Sequence, residues 1–135
     1  MSSAILVSYV TRPMHGRPSG IRVWDDGRVE LKSGARTSTG LEPGWQRVTR
    51  LGPSQLKQLR AFIQQSGLFD LPSEIPAPRG MRDAAVCEWQ AEADGRSAHV
   101  TVHGWSDENP AARPLRALVM QMDTLIGAAQ DGQAV

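Results

Sequence analysis

The tripeptide Asp-Gly-Arg occurs twice, at 26–28 and 94–96, each time between runs that alternate apolar and polar residues. This pairing constrains the fold more than any other feature. Asp-Gly accepts the positive φ angles of a tight hairpin turn, and a two-residue period gives each strand one apolar face. In residues 21–32 the faces decide the register. A two-residue turn at Asp26-Gly27 would oppose Val23 to Glu30 and Arg22 to Leu31. A three-residue loop, Asp25-Asp26-Gly27, opposes Val23 to Val29, Ile21 to Leu31 and Arg22 to Glu30, and leaves Trp24 across from Arg28 as an outer-face cation–π pair. In residues 84–103 the two-residue turn at Asp94-Gly95 segregates the faces instead. Ala91, Trp89 and Cys87 then meet Ala98, Val100 and Val102 on the inner face, while Glu92, Gln90 and Glu88 meet Ser97, His99 and Thr101 outside.

Between the hairpins lies LGPSQLKQLRAFIQQSGLFDLP, residues 51–72. Pro53 suits a first helical turn, where its missing N–H has no intrahelical partner, with Gly52 as N-cap. Leu56, Leu59, Phe62 and Ile63 form an apolar stripe. Gly67 is free to take a left-handed cap, with Leu68 folding back on Ile63 in a Schellman ending. The spacing predicts a helix over 53–66 that docks on a sheet.

The remaining chain is read around these elements. Residues 4–10 (AILVSYV) read as a buried strand, 11–20 as a loop, 33–44 as a polar loop and 45–50 as a third strand. Residues 73–83, which contain Arg79 and Arg82, read as irregular and exposed. Residues 104–109 read as a loop with Trp105 at its start. Leu115, Leu118, Val119, Met122, Leu125 and Ile126 mark a final helix from near Arg113, and 127–135 should fray. The expectation is one α+β domain over 1–130 with a frayed tail at 131–135. Its core is an antiparallel β-sheet built from hairpins with two α-helices packed on one face. The shared hairpin tip leaves a degenerate two-fold repeat open beside chance.

The 135 residues suit one domain, and a 40% hydrophobic content suffices for one core. Fifteen Lys and Arg against fourteen Asp and Glu give a net charge of +1, which offers no basic footprint for nucleic acid or an anionic membrane. AILVSYV has no preceding cation and no cleavage site, and no run approaches a membrane span, so a soluble, bacterial-type cytoplasmic protein is expected. The single cysteine, Cys87, cannot form an internal disulfide.

Signals for chemistry are sparse. His99 and His103 on one strand stand about 13 Å apart at strand rise, too far to share a zinc ion held at about 2 Å. His15 lies in a distant loop. Cys87 points inward in the favoured register, away from both histidines, and reads as an inert thiol. Gly34–Gly40 lacks the Gly-Lys-Ser/Thr of a phosphate loop. Asp25 and Asp26 are explained by their turn. No catalytic residue, cofactor or metal is expected. Four tryptophans stand out. Trp89 belongs to the core, whereas Trp24, Trp45 and Trp105 fall on an outer face or at element boundaries. There they either close the edges of a small core or mark a partner surface.

The order of hairpin, Leu51–Pro72 helix, hairpin and Pro-led helix resembles the emfourin-type group of small bacterial proteins. The likeness spans residues 21–126 and is close over 51–72. Emfourins inhibit thermolysin-like metalloproteases, so the resemblance implies a non-catalytic role with a metalloprotease as protein partner. The long 33–44 and 73–83 loops and the tryptophans depart from the family pattern, and no inhibitory residue maps onto this chain. The expected contact surface comprises Trp45 and Trp105 with the three loops, joined by Trp24, Arg79 and Arg82. A small-ligand site between sheet and helices, gated by 73–83, is the alternative. Exposed sheet edges also open a route to a homodimer.

Overall fold

The computed structural model describes residues 4–13, 18–32, 45–80, 85–106 and 108–133. Among these residues seven strands form one mixed sheet: β1 (Ile5–Arg12), β2 (Ser19–Trp24), β3 (Arg28–Lys32), β4 (Trp45–Arg50), β5 (Glu74–Ile75), β6 (Ala85–Ala93) and β7 (Arg96–Trp105). Their order is β4-β3-β2-β1-β6-β7-β5. Two α-helices among the described residues, α1 (Pro53–Ser66) and α2 (Arg113–Gln133), pack against each other.

Both hairpins take the registers that separate apolar from polar. Val23 faces Val29 and Arg22 faces Glu30 across one turn. Trp89 faces Val100 and Cys87 faces Val102 across the other. Gly27 has φ 99°, and an added Cβ there would lie 2.4 Å from the Leu51 carbonyl oxygen. The tip is thus pressed on the end of β4, where the Leu51 N–H donates to the Gly27 carbonyl at 2.8 Å. Asp94 (φ 52°) and Gly95 (φ 78°) form the second tip.

α1 begins at Pro53, with the Gly52 N–H bonded to Gln55 Oε1 at 2.9 Å. It ends at left-handed Gly67 (φ 78°). The expected direct bond from Leu68 back to Ile63 is replaced. The Leu68 N–H donates to Ser66 Oγ at 3.2 Å, and that hydroxyl donates to the Ile63 carbonyl at 2.6 Å. A 3-10 turn over Leu68–Asp70 then leads towards β5.

Leu6, Val7, Val23, Val29, Trp89, Val100 and Val102 of the sheet are buried together with Leu59, Ile63, Leu115, Leu118 and Met122 of the helices. At roughly 1.5–3 kcal/mol per fully buried large apolar side chain, this cluster dominates the gross stabilisation. Leu6 and Val7 are adjacent yet both buried, because the β1–β2 register shifts between Ile5 and Val7.

Four expectations are corrected. The sheet is not wholly antiparallel, since β5 runs parallel to β7. The stretch after Pro72 is not wholly exposed, because Ile75 is 5% exposed; one apolar residue among prolines and charges carries too weak a pattern to read. The 11–20 segment is partly strand: Thr11–Arg12 extend β1 and Ser19–Gly20 open β2. Finally, α2 continues through Gly127 to Gln133, and Ala129 is buried. Tertiary packing of that last apolar position outweighs the roughly 1 kcal/mol helix penalty of glycine.

Candidate functional site

Arg22 organises the outer face of β2–β4. Its register opposite Glu30 brings Nε 2.7 Å from Glu30 Oε1. Its guanidinium carbon lies 4.4 Å from the Trp45 ring centroid and 5.3 Å from that of Trp24. Arg28 closes the row, 4.7 Å from Trp24 and 3.0 Å from Asp26 Oδ2. The Trp24 indole N–H donates to Glu30 Oε1. The hydrogen bond from Arg22 holds the Glu30 carboxyl below the usual range, overcoming partial desolvation. Directly opposed residues of paired strands share a face, so Arg47, opposite Glu30, and Lys32, opposite Trp45, join this surface. A chain with a net charge of +1 therefore gathers Arg22, Arg28, Lys32 and Arg47 around Asp26 and Glu30. No strand among the described residues pairs with the outer edge of β4.

Trp105 does not join this group. The β6–β7 register shifts between Ala85 and Val86, which leaves Gly104 as an extra residue with φ 73°. This bulge turns Trp105 to the same side as Val102 rather than the opposite one. Its ring stands 6.0 Å from that of buried Trp89, which is itself 4.8 Å from the Tyr9 ring. Trp105 ends β7 instead of opening a loop. Trp24 and Trp45 are thus brought together through Arg22, while Trp105 belongs to the other face, five strand positions from Trp45. Arg79 is exposed in a turn after β5. Arg82 and the 33–44 loop lie outside the described residues, as does His15.

Beside Trp105 a groove of about 590 Å³ opens between the sheet and α2. Tyr9, Thr11 and Ser19 line it from β1 and β2, and Arg113, Arg116, Val119 and Met120 from α2. The guanidinium carbon of Arg116 lies 5.5 Å from the Trp105 ring centroid. Burial, assisted by the nearby charge of Asp123, pushes the Tyr9 hydroxyl well above its usual range. The described part of the 73–83 segment, residues 73–80, does not line this groove. Sequence periodicity could not show it, because it depends on the Gly104 bulge, whose only signal is a glycine near the end of a strand.

Cys87 is fully buried, with Thr11 Oγ1 3.8 Å from its sulfur. Desolvation pushes the thiol up to about 12, so it stays protonated at neutral pH. His103 Nε2 lies 3.8 Å from Glu74 Oε1, tying β7 to β5. Among the described residues no three His, Cys, Asp or Glu side chains converge as a metal site. No helix among them is long and apolar enough to cross a membrane. Compared with known proteins, the chain matches no family model and no curated protein.

Proposed function

We propose that this domain is a non-catalytic protein-binding module that receives an acidic, extended segment of a partner along the outer face and free edge of β4. One observation carries the reading. The Trp45–Arg22–Trp24–Arg28 row stands beside an end strand of six residues whose outer edge has no partner strand among the described residues. Strand addition supplies main-chain hydrogen bonds, and the flanking cations select for acidic side chains. Exposed Arg47 lies where such side chains would arrive. Arg22 and Glu30 alternate with Val23 and Val29, which are buried in the core, so the row lies on the face turned away from those valines. The Leu51–Pro72 resemblance makes a thermolysin-like metalloprotease the first partner to try, and a cytoplasmic setting follows only if the partner is found there.

The test is capture from host lysate and from a metalloprotease-rich fraction, with the wild-type protein and with Trp45→Ala and Arg47→Glu variants run in parallel. One stoichiometric protein retained by the wild type and lost by both variants supports the module. A partner held equally by all three removes this surface. Recovery of the protein alone turns the reading towards a β4-to-β4 homodimer, checked by the mass of the complex in solution.

A further inference from the structure

We propose that the groove between Trp105 and α2 binds a small carboxylic acid with a compact apolar body. The groove shares no residue with the outer face of β2–β4, so this site stands or falls separately. Its volume of about 590 Å³ lies within the range of small-molecule pockets.

The chemistry of the walls selects the ligand. Arg113 and Arg116 are one turn apart at the start of α2 and both line the groove. A guanidinium fork matches the two oxygens of a carboxylate. The opening turn of α2 adds a smaller favourable field for an anion. Tyr9 also lines the groove, and its hydroxyl can donate to a ligand oxygen.

Apolar surface accounts for the rest. Trp105, Ala117, Val119 and Met120 share the lining. Met120 is 71% exposed, the one large hydrophobic so exposed among the described residues. Its flexible thioether suits apolar bodies of varied shape. Inorganic phosphate would satisfy the arginines and leave this surface wet. With Arg113 and Arg116 at the start of α2 and Met120 further along it, the carboxylate lies at the Arg113 end and the apolar body points towards Met120.

Phenylacetate, phenylbutyrate and octanoate would be titrated into the full chain, followed by tryptophan fluorescence and thermal shift. The corresponding amides and inorganic phosphate serve as controls. At least one acid should saturate below about 1 mM, with its amide at least about tenfold weaker. Arg113→Gln, at an exposed position, should weaken the acid about tenfold and leave the amide unchanged. Met120→Gln should weaken both. The proposal is overturned if no acid saturates with folded protein, if acid and amide bind alike, if phosphate competes as well as the acids, or if Arg113→Gln changes nothing.

Discussion

Asn109 holds Gly104 in place. Its Nδ2 donates to the carbonyls of Gly104 at 3.1 Å and His103 at 3.2 Å, while its Oδ1 accepts from the Ala111 N–H at 3.1 Å. The side chain is 2% exposed, so these bonds form away from water. One residue therefore fixes the bulge that turns Trp105 inward and also caps the 3-10 turn that leads into α2. It sets the two walls of the groove relative to each other.

Asn109→Asp is the informative change. It keeps the acceptor, removes both donors and places a carboxylate against two carbonyl oxygens. The expected cost is about 2–3 kcal/mol, with Asn109→Ala milder, because burying an unpaired charge exceeds the loss of a hydrogen bond. Urea unfolding measures both. Equal stability of Asn109→Asp and wild type would show that the two donors contribute nothing.

Two glycines separate backbone strain from collision. Gly67 has φ 78° with open space where a Cβ would go, whereas Gly27 has φ 99° and a backbone oxygen 2.4 Å away. Gly67→Ala should cost about 1–2 kcal/mol, the penalty of a left-handed alanine. Gly27→Ala should cost clearly more, because the tip must part from Leu51. Similar melting temperatures for the two variants would contradict the close approach.

Where the chain states its structure locally, the sequence was legible. The hairpin registers follow from face segregation around Asp-Gly, and α1 follows from Pro53, its stripe and Gly67. The missed features depend on distant parts of the chain. β5 exists because Ile75 finds cover beside Val102. α2 outlasts Gly127 because Ala129 is buried. The pairing of Trp24 with Trp45 needs Arg22 between them, and their strands are joined only through β3. Trp105 follows strand alternation until Gly104 adds a residue, and nothing in the local pattern says which side it then faces.

Glu30 links stability to pH on the outer face. Its carboxyl is held below the ordinary value of 4.5, chiefly by the hydrogen bond from Arg22. A depressed folded value means that the contribution is complete above about pH 4.5 and is lost as pH falls through the folded value. Glu30→Gln should therefore cost about 1 kcal/mol at pH 7, a modest figure for a partly exposed pair, and progressively less in acid. Chemical denaturation from pH 7 to about pH 3 checks this. A difference independent of pH would assign the loss to packing of Trp24 instead.

Cys87 gives the opposite slope. Burial raises its thiol from 9.0 to about 12. A raised folded value leaves stability intact below pH 9.0 and removes it as pH climbs towards the folded value, because the unfolded chain releases the proton first. The slope for one such group is at most about 1.4 kcal/mol per pH unit. Cys87→Ala removes the titration but leaves a small cavity. The variant should be less stable at pH 7 and should lose that disadvantage steadily above pH 9. Tyr9 also titrates late and is raised in part by Cys87, so its easier ionisation in the variant adds to the difference with the same sign. The same burial predicts that a thiol reagent labels the folded protein only as fast as it opens, and that mild denaturant accelerates labelling with the equilibrium population of the open form. Rapid labelling at pH 8 without denaturant would mean that the inner face of β6 is reached by solvent, and the raised thiol value would fall with it.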